Sequence, residues 1–167
     1  MNNYEYWVNK LELTKHVEGG YYKEVYKNSE AITDKELKAS FSGKRHLATS
    51  IYFLLTSEDA SNFHRLKSDE IWYYHAGAPL TVYVIDEKGA LKELKIGLDI
   101  ENGEQPQVIV PAGSIFGSMV NKENSFSLVG CMVSYGFDFH DFELFSREEL
   151  LAKYPEHKDI ILKLTRE

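Results

Sequence analysis

Between residues 47 and 134 the apolar positions fall in short runs separated by turn residues. Residues 47–56, 70–76, 80–86, 91–96, 107–110, 114–120 and 126–134 are rich in Ile, Val, Leu, Tyr and Phe. Ala78-Pro79, Asp86-Glu87-Lys88-Gly89, Asn102-Gly103, Ala112-Gly113 and the polar stretch 121–124 separate them. Branched and aromatic side chains suit a pleated surface, whereas Gly, Pro, Asn and Asp suit tight reversals. Many short strands spaced by such turns predict a sandwich or barrel. Residues 21–26 alternate with charges and predict one more strand.

The two ends carry a different period. Tyr6, Trp7, Lys10, Leu11 and Thr14 stand at helical spacing, which predicts a short amphipathic helix over residues 3–13. Ser146-Arg147-Glu148-Glu149 has the capping-box form and leads into Leu150 and Leu151. Pro155 interrupts that helix, and Ile160, Ile161 and Leu164 predict a last short one. Gly19-Gly20 permits a sharp reversal. Residues 28–44 are polar, contain Gly43 and read as a loop with one helical turn around Lys35. No repeat or linker breaks the chain, and 167 residues suit one domain with a sizeable core, so residues 1–167 are read as a single domain.

The segment Phe63-His64-Arg65-Leu66-Lys67-Ser68-Asp69-Glu70, with Gly77 and the later Pro111-Ala112-Gly113, resembles the two motifs of the cupin superfamily. His64 and Glu70 stand at ligand positions and Gly77 at the motif glycine. Leu66 stands where the motif has its second His, and Phe116 where it has its last. The likeness sharpens at His16-Val17-Glu18-Gly19-Gly20-Tyr21-Tyr22-Lys23-Glu24, which is similar to the His-Pro-Glu-Gly-Gly-Tyr-Tyr opening of the fifth cupin family, a domain of unknown function. Residues 50–55, 68–72, 110–113, 127–131 and 136–139 fit the rest of that pattern, so the resemblance spans roughly residues 11–144. Val17 and Tyr135 replace prolines of the pattern, and Tyr73 stands at a usual aromatic or His. The resemblance implies a mainly β fold, a double-stranded β-helix or jelly roll, with short N- and C-terminal helices. It also implies a homodimer paired through sheet edges, with residues 21–26 able to add to a neighbour's sheet.

Composition narrows the function classes. The net charge is −7, from 26 acidic and 19 basic side chains, which argues against a nucleic-acid partner and leaves no polybasic membrane patch. No apolar run approaches the about 20 residues that span a bilayer, and the first residues lack a secretory pattern. A cytoplasmic location is expected. Cys131, the one cysteine, lies in an apolar run and is read as a small buried hydrophobe.

The candidate chemistry centres on His64 and Glu70. A catalytic metal needs three or four ligands, and these two residues supply half. His75, Gln107 or Tyr74 could add a third, but none stands at a motif position. No cofactor is therefore expected, with a divalent metal on His64 and Glu70 as the alternative. Without metal, His64 is a base or ligand anchor that Glu70 orients, as a carboxylate beside an imidazole makes it more basic. Metal-free deoxysugar epimerases of the cupin superfamily resemble this arrangement.

Strand alternation puts Glu70, Trp72 and Tyr74 on one face, which the resemblance turns inward. Phe116 and Gln107 are further candidate ligand contacts, and Arg45 is a candidate cation for an acidic ligand. Glu18, Tyr21 and Glu24 are expected at a pocket mouth. Arg65 and Lys67 read as a solvated strand face, Asp69 as a turn residue, and His46, His140 and His157 as surface residues. Phe137, Phe139, Phe142 and Phe145 read as core packing. The expected function is binding of a small polar metabolite, such as a sugar or nucleotide-sugar, with or without epimerase- or isomerase-type acid–base chemistry. A metal-dependent oxygenase or isomerase and a non-catalytic binding protein are the alternatives.

Overall fold

The computed structural model describes residues 3–33, 35–38 and 40–166. It is a jelly roll of antiparallel strands. Helix α1, Tyr4–Leu11, leads in, with the Asn3 side chain accepting from Glu5 N at its start. The strands follow as β1 (Thr14–Lys15), β2 (Tyr21–Lys27), β3 (Ala31–Ile32), β4 (Arg45–His46), β5 (Thr49–Thr56), β6 (Ser61–Arg65) and β7 (Asp69–Gly77). Then come β8 (Leu80–Ile85), β9 (Leu91–Ile96), β10 (Gln107–Val110), β11 (Ile115–Val120), β12 (Phe126–Ser134) and β13 (Glu143–Leu144). Helices α2 (Arg147–Lys153) and α3 (Lys158–Lys163) end the chain. No helix among the described residues is long and apolar enough to cross a membrane.

Two sheets hold these strands. One has the order β1-β2-β5-β12-β7-β10, the other β13-β6-β11-β8-β9. Phe53, Leu55, Trp72 and Val129 of the first sheet meet Val82, Ile96 and Phe116 of the second in the main core. Alternation sends the intervening residues outward. Leu54, Phe126 and Leu128 therefore pack under α1, against Trp7 and Val8. Phe63, Ile85 and Ile115 of the second sheet lie under Leu150, Ile161 and Leu164 of the C-terminal helices. Both terminal helices exist because each covers an apolar sheet face. The second is fixed by a complete capping box, in which Ser146 and Glu149 satisfy each other's backbone N–H groups.

The strands read from periodicity recur within a residue or two, and 91–96, 107–110 and 126–134 keep their bounds. The stretch 28–44 differs from its reading as a loop. It contains β3, which pairs with β4 as a two-stranded ribbon. Two residues carry too little pattern to mark a strand. The ribbon is anchored by the buried Arg45, whose Nε and Nη2 donate to Asp141 Oδ2 and Oδ1, both at 2.7 Å. This bidentate pair ties the ribbon to the one-turn helix Phe139–Asp141. Strand β2 pairs with β5 along its length and with β1 at Tyr21 and Tyr22.

Removing one partner of a buried ion pair leaves an uncompensated charge and costs about 3 kcal/mol. Asp141→Asn is expected to lower the melting temperature while keeping a β-type circular dichroism spectrum. An unchanged melting temperature would show that the pair does not anchor the ribbon.

Candidate functional site

A cavity of about 290 Å³ opens between the sheets. Its largest wall is one face of the first sheet, taken at every second residue: Tyr22 and Glu24 of β2, Thr49, Ile51 and Phe53 of β5. The same face continues through Cys131 and Val133 of β12 to Glu70 and Trp72 of β7. This is the period of two acting across four neighbouring strands. His64 and Leu66 close the opposite side, and Phe137 and Phe139 form a lip. The lip is held where the Phe137 amide donates to Thr49 Oγ1 at 2.8 Å. A wider groove of about 730 Å³ runs past Arg65, Lys67 and Tyr154 outside the barrel. It is open, and its Arg65 and Lys67 already face Glu143 and Asp141, whereas the strongly shifted groups Glu18, His64 and Glu70 line the smaller cavity.

The β1–β2 loop carries His16 and Glu18 into this cavity. Its path is fixed by close approach: a side chain at Gly19, at φ +114°, would collide with the Ala60 carbonyl oxygen. Asn62 N and Nδ2 donate to the Glu18 carbonyl at 2.8 and 2.7 Å, and Gly20 N donates to Asp59 Oδ2 at 2.9 Å. With the backbone latched to β6, the Glu18 side chain turns inward and is buried. Ser61 Oγ donates to its Oε1 at 2.8 Å, and its Oε2 lies 3.1 Å from His64 Nε2.

The His64 ring has one way to use its nitrogens. Nδ1 lies 2.7 Å from the Asn62 carbonyl, which can only accept, so Nδ1 carries a proton. Nε2 then faces Glu18 Oε2 at 3.1 Å, a contact that one shared proton would satisfy. Phe116 and Phe142 clamp the ring at centroid distances of 4.1 and 5.3 Å. Burial lowers the imidazole pKa to about 4, against the opposing pull of the Asn62 carbonyl. Burial likewise raises Glu18, against His16 and Ser61. Both shifts favour a neutral acid–imidazole contact over an ion pair. His16 accepts from the Glu18 amide through Nδ1 at 3.1 Å, and burial lowers its pKa too.

Glu70 is the second buried carboxyl. Burial first, and then the neighbouring Glu18, raise its pKa to about 8. Trp72 and Cys131 lie close enough to oppose this weakly, yet neither meets Glu70 Oε2 in hydrogen-bond geometry. That oxygen and Trp72 Nε1 are both buried without a partner. The thiol of Cys131 is itself raised, by burial and then by the two carboxyls, so it is held as the protonated, inert form.

The sequence candidates divide accordingly. His64, Glu70, Trp72, Glu18 and Glu24 meet at the cavity. The carboxyl that touches His64 is Glu18, where Glu70 was expected to orient it. Tyr21 faces the other side, 6.2 Å from Tyr4, because residues 22 and 24 share the inward parity; Tyr22 takes its place. Tyr74 has the right parity but lies further along β7, donating to the Gly77 carbonyl at 2.7 Å. Gln107 is exposed on β10, Arg45 is spent on Asp141, and Phe116 packs on His64 instead of lining the cavity. Arg65 and Lys67 lie off the cavity as expected, bonded to Glu143 and to the Ser40 carbonyl. Asp69 accepts from the Ala112 amide at 2.7 Å, a turn role. His16, Phe137 and Phe139 were missed as cavity residues; only the alternation 16, 18 and the loop motif hinted at the first.

The donor set does not fit a metal. Leu66 and Phe116 put apolar groups where the cupin motifs place imidazoles. His64 Nε2 already faces Glu18, and His75 lies on the outer face against Tyr52, with ring centroids 5.8 Å apart. Among the described residues no group of three or more His, Cys, Asp or Glu is arranged to hold an ion.

Two antiparallel sheets rolled around a cavity, with Gly77 and the Pro111–Gly113 turn in motif positions, define a cupin jelly roll. The family model described as "Cupin superfamily (DUF985)" matches residues 5–145, and the chain belongs to that family. Protein SO0799 from Shewanella oneidensis is similar in structure, with 50% identity, a TM-score of 0.89 and 99% of each chain covered. A hypothetical protein from Leishmania major has 40% identity and a TM-score of 0.89, covering 99% of this chain and 100% of its own. The uncharacterized Saccharomyces cerevisiae protein YML079W is 31% identical over 153 residues, 86% of this chain and 76% of the yeast protein.

The shifts make stability depend on pH. Glu70 binds a proton on folding between its ordinary 4.5 and about 8, so its contribution falls as pH rises through that span. His64 releases one between about 4 and its ordinary 6.5, so its contribution rises there. Below 6.5 His16, lowered like His64, joins it in opposing Glu70, and above 6.5 Glu70 and Glu18, which is shifted the same way, act together. Stability is expected to drop by about 2 kcal/mol between pH ~6.5 and ~8, then level off. Urea unfolding across this range checks it, and Glu70→Gln should flatten most of the decline. A wild-type stability that rises over the same interval would overturn the assignment.

Proposed function

We propose that the cavity binds a small metabolite and moves a proton on it without a metal, in the manner of an isomerase or epimerase. The contact of His64 Nε2 with Glu18 Oε2 at 3.1 Å carries this reading. It is a proton held between two groups whose charged forms are both disfavoured, at the edge of a ligand-sized space. Such a pair exchanges the roles of acid and base at little cost, which general acid–base catalysis needs. Glu70, neutral below pH about 8 in the unliganded protein, is a second acid–base group on the same cavity. The about 290 Å³ is near the small end of ligand pockets, which run from about 300 Å³. A monosaccharide-sized molecule suits it, whereas a nucleotide-sugar exceeds it and would bring phosphates against carboxyls.

The test is solvent-proton exchange. Small aldoses, ketoses and amino sugars are incubated with the protein in deuterated water and read by proton NMR for loss of a carbon-bound hydrogen. At least one is expected to exchange, and His64→Gln should slow that exchange by about 100-fold or more with its melting temperature retained. Glu70→Gln should slow it less, since an amide keeps one acceptor. Exchange that survives His64→Gln in folded protein would remove His64 from the chemistry.

A further inference from the structure

The charge of the cavity is one-sided. Its ionisable lining comprises the carboxyls of Glu18, Glu24 and Glu70, the imidazoles of His16 and His64, and the thiol of Cys131. None of the described residues that line it is Lys or Arg. The nearby cations are engaged elsewhere: Arg45 on Asp141, and Lys27 at 3.3 Å from Glu24 at the rim. Buried carboxyls are ordinarily paired, because desolvating a lone charge is costly. Glu70 is 7% exposed, lines the cavity and has an oxygen without any partner. The remaining walls are aromatic. Tyr22, Phe53 and Trp72 line the sheet side, and Phe137 and Phe139 the lip. Aromatic faces attract cations and repel anions.

We infer that the ligand of this cavity is a small organic cation, a protonated amine on a compact apolar or hydroxylated body, whose ammonium pairs with Glu70. This rests on the reading of the cavity as a ligand site and narrows it. The ammonium would replace the missing partner of Glu70, and the aromatic walls would cover the rest of the molecule. Anionic metabolites are disfavoured, because the only lining groups that could become cationic, His16 and His64, are held neutral by burial. Glu24 at the mouth and the net charge of −7 favour approach of a cation, with Lys27 offsetting part of the rim field.

Binding then has a proton signature. Glu70 enters the free protein neutral near pH 7, since burial and Glu18 hold its pKa high, and it must ionise to pair with an ammonium. Proton release accompanies binding, and affinity increases as pH rises toward about 8. The groups around Glu70 act on this in known directions: Glu18 opposes its ionisation, while the neutral His16, His64 and Cys131 leave the charge unbalanced.

An isosteric series tests the inference: benzylamine, benzyl alcohol and benzoate, titrated by calorimetry in buffers of different ionisation enthalpy and followed by the tryptophan and histidine NMR resonances. Benzylamine is expected to bind about tenfold or more tightly than the alcohol, with release of close to one proton, and benzoate not to bind. Glu70→Gln should remove the proton release and the preference for the amine over the alcohol. Equal or tighter binding of the alcohol or the benzoate would overturn the cationic ligand but leave the cavity as a binding site. If none of the three perturbs the cavity resonances, both the cation and the ligand-site reading of this space fall.

Discussion

Two carboxyl groups are buried between the sheets without a cation to balance them, and much of the local structure answers to that constraint. Glu18 meets it by sharing a proton with His64 and by accepting from Ser61. Glu70 meets it by staying protonated into the neutral range. A buried acid that is kept neutral is a poor contributor to stability.

The barrel provides these groups from separate elements. The sheet face supplies Glu70 in register with Val110 and Val133. The second sheet supplies His64, and a loop outside both motifs supplies Glu18. In a metal-binding jelly roll the strands would bring all ligands. Here two of those strand positions are apolar, and the loop delivers the group that replaces them as the histidine's partner. His64 thus has a packed aromatic, Phe116, behind its ring and an acid, Glu18, in front of it, the latter held by its latch on Asn62.

Much of the fold was legible because its signals are local. Alternation and turn residues give the long strands, and Ser146 with Glu149 gives the start of a helix. The ribbon of Ala31–Ile32 with Arg45–His46 was not, since its cause is a side-chain pair joining residues 45 and 141. The site was half legible. The motif spacing marks His64 and Glu70, and parity marks Trp72. Parity also separates Tyr22 from Tyr21, had the inward face been known. That Glu18 reaches His64 could not be read from either residue, because it follows from backbone contacts between a loop and β6. Phe137 and Phe139 read as core for a similar reason. They are apolar, and only the fold decides that they face a space and not one another alone.

The immobility of the His64 ring has a consequence for handedness. It is pinned by two phenyl rings and by its bond to the Asn62 carbonyl, so Nε2 points in one fixed direction. Under the proposed chemistry a proton leaves Nε2 along that line, which ends on Glu18 Oε2, so it reaches a bound molecule through Glu18. A carbon made planar in the cavity would be addressed by the His64–Glu18 pair on one face, and inversion there would need Glu70 on the other. The geometry of one clamped ring would therefore set whether the product mirrors the substrate or retains its configuration.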